Sequence, residues 1–307
     1  MANTVIQTTS DQIHKMKEHY SSVLTGKVPP GAVFSAKPAG CTVTAYKSGK
    51  VLFQGARGED EASQWGSKVA PKVKKFDKKT TTLPEDFASW SVIGSDEVGT
   101  GDFFGPITVV SAYVKREHLE LVKELGVQDS KNLTDETIKR IAKDLIQTIP
   151  YSLLILHNPK YNELQESGMS QGKIKALLHN KAILNLMDKI APEQPEAILI
   201  DQFVEKNTYY RHIASQKKIQ RDRVYFSTKG EGMHLSVAAA SIIARYAFLK
   251  EMDKLSEKAG VTIPKGAGSA VDIAAAKIIK RRGVDSLKNM TKWHFANSDK
   301  AIKISRK

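Results

Sequence analysis

From Trp90 to the C-terminus the chain repeats one alternation, an apolar run of strand length followed by a stretch with helical spacing. The runs are SVIGSD, ITVVSAYV, YSLLILH, AILID and RVYFST; the helical stretches span residues 119–125, 134–148, 172–190, 235–255 and 270–280. The first two runs leave no room for a helix between them, so they must pair antiparallel. Later runs, separated by helices, are expected to lie parallel. The fold class is therefore α/β: a mixed sheet flanked by helices, over residues 91–307.

Residues 1–65 read as a smaller α+β unit. Thr4–Gln7 suits a strand, Thr9 and Gln12 match a capping box, and Ile13, Met16, Tyr20 and Val23 follow at helical spacing. AVFSAK and TVTAYK then alternate as strands, and Ser48-Gly49 turns the chain into a third, VLFQG. Glu59-Asp60-Glu61 suits the first turn of a helix. Residues 66–90 carry six lysines and two prolines among few large apolar side chains, and read as a basic linker.

The chain has 47 basic and 33 acidic residues, a net charge of +14 that suits a polyanionic partner such as nucleic acid. Its single cysteine, Cys41, excludes an intramolecular disulfide and a Cys-rich zinc module. With no apolar run long enough to span a membrane and no signal-peptide pattern, the expected setting is cytoplasmic. With no heptad seam, the expected state is a monomer.

Three acidic features stand out against this basic background. Asp96 and Glu97 sit where an apolar run meets the turn Val98-Gly99-Thr100-Gly101. Adjacent carboxylates repel unless a cation compensates, and hard divalent ions take such oxygen ligands. Gly99, Gly101 and Gly105 are one residue too widely spaced for a dinucleotide fingerprint, and a second strand follows where a helix is needed. These glycines would instead let a sugar-phosphate backbone approach the peptide chain. Asp201 ends the apolar run AILID, a position where open α/β sheets place ligand-binding groups. Glu231, in Lys229-Gly230-Glu231, precedes a helix rich in small residues that can pack closely on a sheet. His234 could carry protons at such a site; a local bond at the helix terminus is the commoner use of a histidine there. No histidine pair has zinc-ligand spacing.

Together these features resemble the type 2 ribonucleases H. The carrying residues are Asp96 to Gly101 with Gly105-Pro106, Asp129-Ser130-Lys131, Asp201, Lys229-Gly230-Glu231, the helix around Ser241 and His294-Phe295. Thr100, where ribonuclease HII sequences carry arginine, and Glu231, where they usually carry aspartate, resemble the ribonuclease HIII branch. The segment from Tyr46 to Gly55 likewise resembles a hairpin of the TATA-binding-protein repeat. The resemblance implies a ribonuclease H-like domain behind a TATA-binding-protein-like domain that adds affinity. It also implies cleavage of the RNA strand of RNA/DNA hybrids with two Mg²⁺ or Mn²⁺ ions, leaving 5′-phosphate and 3′-hydroxyl ends. Asp96 would bridge the ions, Glu97 and Asp201 would hold the leaving-group ion, and Glu231 the nucleophile-side ion. Val98, Gly99, Thr100 and Gly101 would contact the 2′-hydroxyl, Ser130 and Lys131 phosphates, and Tyr46, Lys47 and Lys50 the duplex. The missing arginine implies weak cutting at a single ribonucleotide within DNA. Two alternatives are another nuclease of the same fold and a non-catalytic nucleic-acid-binding protein.

Overall fold

The computed structural model describes residues 3–26, 28–29, 31–66, 83–127 and 133–306. At the N-terminus β1 (Asn3–Gln7) leads into α1 (Ser10–His19), whose cap residue Thr9 accepts a hydrogen bond from the Gln12 amide. β2 (Ala32–Ala36), β3 (Thr42–Tyr46), β4 (Lys50–Gln54) and α2 (Gly58–Ser63) follow. The strands form an antiparallel sheet in the order β1-β4-β3-β2. Alternation sorts its faces: Val43, Ala45, Val51 and Phe53 pack with Ile13 and Met16 of α1. Tyr46 and Leu52 point the other way, and that face is covered as well. They join a core cluster with Leu119, Val122 and Leu145 of the second domain, and Gln54 Nε2 donates to the Gln147 carbonyl at 2.9 Å.

The second domain runs β5 (Val92–Val98), β6 (Ile107–Val114), α3 (Leu119–Glu124), α4 (Asp135–Thr148), β7 (Tyr151–Leu156), α5 (Asn158–Glu166), α6 (Gln171–Ile190), β8 (Ala197–Asp201), α7 (Lys206–His212) and β9 (Val224–Ser227). It ends with α8 (Leu235–Ala259), α9 (Ser269–Arg282), α10 (Val284–Lys288) and α11 (Asn297–Ser305). The sheet order is β7-β6-β5-β8-β9. β5 and β6 pair antiparallel, while β8 and β9 extend the sheet in parallel from β5. β7 departs from the sequence expectation: despite intervening helices it pairs antiparallel with β6. Hydrophobic spacing gives a run's face and length but not its direction, and β7 joins the edge beside β6 rather than the parallel side.

β6 is buried along its whole length because helices cover both faces. Val110, Ala112 and Val114 pack toward Ala239 and Ile243 of α8, whereas Tyr113 packs toward Ala176 and Ile183 of α6. Of the expected linker, residues 67–82 lie outside the described residues. Its final part is packed, with Leu83, Phe87 and Trp90 around Val92, Leu199 and Val237. Among the described residues no helix is long and apolar enough to cross a membrane.

α8 approaches β5 as closely as backbone allows. A Cβ on Gly94 would lie 2.2 Å from Ser236 C and from Val237 N, so no side chain fits there. Gly94→Ala is expected to destabilise the protein by about 3 kcal/mol or more, since the clash is with helix backbone rather than a movable side chain. Urea denaturation measures it; an unchanged midpoint would contradict the contact.

Candidate active site

Strand pairing brings the acidic residues together. β5 carries Asp96 and Glu97, and β8 runs parallel beside it, with Ser95 opposite Ile200, so Asp201 ends next to Asp96. The Asp201 Oδ1 accepts the Gly230 amide at 2.8 Å, which fastens the turn carrying Glu231 to the strand end. α8 places Ser241 against Asp96 as a hydrogen-bond partner. All four carboxylates line one open cleft of about 430 Å³, with the backbone of Val98 to Gly101 and the side chains of Arg245 and Lys265.

Asp96 and Glu97 are adjacent but oppositely treated. Burial, then the charges of Glu97 and Asp201, push the Asp96 carboxyl well above its usual range; bonds from Ser241 and the Glu97 amide only partly offset this. Burial also opposes ionisation of Glu97, yet His179 and Lys175 outweigh it and hold that carboxyl below its usual range. Lys175 Nζ lies 2.8 Å from one Glu97 oxygen and His179 Nε2 lies 2.9 Å from the other. Arg245 and Lys265 both pair with Asp135, which keeps two cations fixed at the cleft rim.

The glycines of the turn divide their work. Gly99 has φ +96° and a Cβ there would meet the Pro106 carbonyl at 2.3 Å, so the fold itself requires it. A Cβ on Gly101 would meet nothing within 4 Å; that backbone is the part open to a ligand. The turn is braced from beneath by Lys292, whose Nζ donates to Asp102 O at 2.8 Å and to Gly105 O at 2.6 Å.

Other expected contacts fall elsewhere. Tyr46 and Lys50 are 2% and 8% exposed, buried against the second domain, so in this arrangement neither can touch a duplex. The reason is that their sheet face carries Leu52 at its centre and covers Leu119 and Val122. Lys47 is exposed, and Ser130 and Lys131 lie outside the described residues. His234 caps α8: its Nδ1 accepts the Ser236 amide at 3.0 Å and its Nε2 lies 3.1 Å from Trp90 O, away from the cleft. Sequence reasoning placed Ser241 in a motif helix without giving it a role, and missed Lys175, Arg245, Lys265 and Lys292. Only Lys175 left a readable trace, four residues before His179 on an expected helix.

The domain model for ribonuclease HII matches residues 93–298, and a domain of unknown function matches residues 3–79. Ribonuclease HIII of Bacillus pumilus is 61% identical over 99% of both chains, and that of Bacillus cereus is 55% identical over 100% of both. The chain belongs to the ribonuclease HIII family. As a member it is a metal-dependent ribonuclease H of type 2. The crystal structure of Bst-RNase HIII in complex with Mn²⁺ is 48% identical and matches 99% of each chain with a TM-score of 0.73. Its α/β architecture, a mixed sheet flanked by helices behind a small antiparallel-sheet domain, is the family's.

Burial lowers both His118 and His234 from 6.5 to about 4. Between those values the unfolded chain binds protons that the folded protein refuses, so stability is lost as pH falls from 6.5 toward 4. Each histidine contributes up to roughly 3 kcal/mol to this loss. Denaturation at pH 7 and pH 5 is expected to show a shallower loss in His234→Gln than in the wild type; equal losses would contradict it.

Proposed function

We propose that the cleft hydrolyses the RNA strand of RNA/DNA hybrids as an endonuclease, leaving 5′-phosphate and 3′-hydroxyl ends. The observation that carries this reading is that Asp96, Glu97, Asp201 and Glu231 line one cleft with the open backbone at Gly101.

The donor set fits divalent ions of the Mg²⁺ and Mn²⁺ kind. It is all oxygen, and Asp96 is buried among carboxylate charges that a cation would relieve. Asp96 would be shared between two ions, Glu97 and Asp201 would hold the leaving-group side, and Glu231 the nucleophile side. When bound, such ions supply an activated water and neutralise charge on the phosphate and the leaving oxygen. Among the described residues no three acidic, histidine or cysteine groups already converge closely enough to hold an ion. Glu97 is turned to Lys175 and His179, and loading requires it to give up part of that contact.

The chain's own groups would do the rest. The exposed backbone at Thr100-Gly101 is suited to reading a 2′-hydroxyl, which distinguishes RNA from DNA independently of sequence. Arg245 and Lys265, held by Asp135, would receive the phosphates that flank the cut. Thr100 offers no guanidinium to grip a lone ribonucleotide junction. The N-terminal domain would add affinity through surfaces other than the covered Tyr46 and Lys50 face, and Lys47 remains available to it.

End-labelled duplexes test this with Mg²⁺ or Mn²⁺, and with EDTA as control. Metal-dependent cutting of a continuous RNA strand on DNA, with little cutting at a single embedded ribonucleotide, is the expected result. Asp96→Asn is expected to lower turnover on the order of a thousandfold while hybrid binding persists. Wild-type turnover by that variant would end the assignment.

A further inference from the structure

Glu97 has a side-chain nitrogen on each of its two oxygens. Lys175 and His179 stand one turn apart on α6, so one helix face delivers both. His179 is wholly buried and fixed from several sides. Its Nδ1 lies 2.7 Å from Ser95 Oγ, which accepts the Ser111 hydroxyl at 3.1 Å, and its ring stacks on Phe203 at 5.1 Å. Ser95 and Ser111 are themselves paired across β5 and β6, so the histidine is anchored in the sheet. Lys175 has fewer partners: beyond Glu97, its ammonium rests over the Phe203 ring at 4.2 Å, at the end of a flexible stem.

We propose that His179 is a positioning residue that fixes the orientation of the Glu97 carboxylate, and that Lys175 is a stand-in cation which a divalent ion displaces from Glu97. This rests on the metal-site reading above. A carboxylate oxygen bonded to an ammonium cannot at the same time direct that lone pair to an ion. Lys175 therefore competes with loading, while His179, on the other oxygen, can stay bonded throughout as a partner behind the ligand. The two side chains touch one carboxylate yet act on ion affinity with opposite sign. Phe203, two residues past Asp201, backs both, so the cover of this clamp is continuous with the second strand-end carboxylate.

The test is Mn²⁺ binding to the full chain without substrate, by calorimetry and by the electron paramagnetic resonance of free Mn²⁺. Lys175→Met is expected to tighten binding roughly fivefold, because a positive charge leaves an acidic site. His179→Leu is expected to weaken it about tenfold, and His179→Gln, which keeps a donor near the same place, to recover most of the loss. Weaker or unchanged binding in Lys175→Met would overturn the stand-in role. Wild-type affinity in His179→Leu, or no recovery in a folded His179→Gln, would overturn the positioning role. Lys175 is partly exposed whereas His179 is wholly buried, so its variant reports even if the histidine variants unfold. Asp96→Asn is the control: if it also binds Mn²⁺ like the wild type, the metal-site reading itself fails; if it binds weakly, any failure belongs to the clamp alone.

Discussion

The contact of α8 with β5 at Gly94 sets the geometry of everything downstream. Backbone lies on backbone there, because a Cβ would fall 2.2 Å from Ser236 and Val237. The small residues from Ala238 to Ala240 continue the close approach, and Ser241, one turn beyond Val237, reaches Asp96. The same helix start holds the Glu231 turn near Asp201. Were α8 a side chain further away, the strand ends would still carry acids, but the cleft would lose the wall that brings the fourth carboxylate to them.

Within that frame the acidic site has to exist in a protein of net charge +14 without being neutralised by it. The structure solves this by tying cations elsewhere. Arg245 and Lys265 are spent on Asp135, outside the carboxylate group, and Lys292 is buried beneath the turn. Lys175 reaches one carboxylate of the site, Glu97, directly. Asp96 is left with neighbours of its own sign, and burial magnifies their effect because water is not there to screen it. The outcome is an unequal pair on one strand: Glu97 compensated by two side chains, Asp96 only partly offset by Ser241 and the Glu97 amide.

Much of this was legible because strand and helix signals are local. All five apolar runs of the second domain became strands, and the Thr9 cap and the Ser48-Gly49 turn appear where residue chemistry put them. The strand-end positions of Asp96 and Asp201 followed from the same pattern. What stayed hidden depends on contacts far apart in the chain. The direction of β7 is set by its neighbour β6, not by its own residues. Alternation in β3 and β4 puts Val43 and Val51 on one face and Tyr46 and Leu52 on the other, but it does not say what covers the second face. A partly polar face that also bears Tyr46 and Leu52 reads equally as a ligand surface or as a domain contact, and here it is the contact. His234 was undecided for a similar reason: only the fold puts Trp90 O within reach of its ring.

The turn between β5 and β6 shows how a backbone can be a recognition surface. Peptide groups select a ligand only if they are already aimed, because ordering a loop on binding costs affinity. Gly99 supplies the positive φ that starts the turn, Gln171 Nε2 donates to Thr100 O at 3.1 Å, and Asn158 Nδ2 donates to Gly105 O at 2.8 Å. Lys292 then bonds two carbonyls at once from within the core. Burial brings its amine down to about 7, so near neutral pH both protonation states are accessible to it. That titration does not release the turn, since even an uncharged amine has two N–H donors and there are two carbonyls to satisfy. The brace therefore holds whether or not the lysine is charged. Gly101, the residue with open space around it, is presented by a loop whose two ends are both fixed.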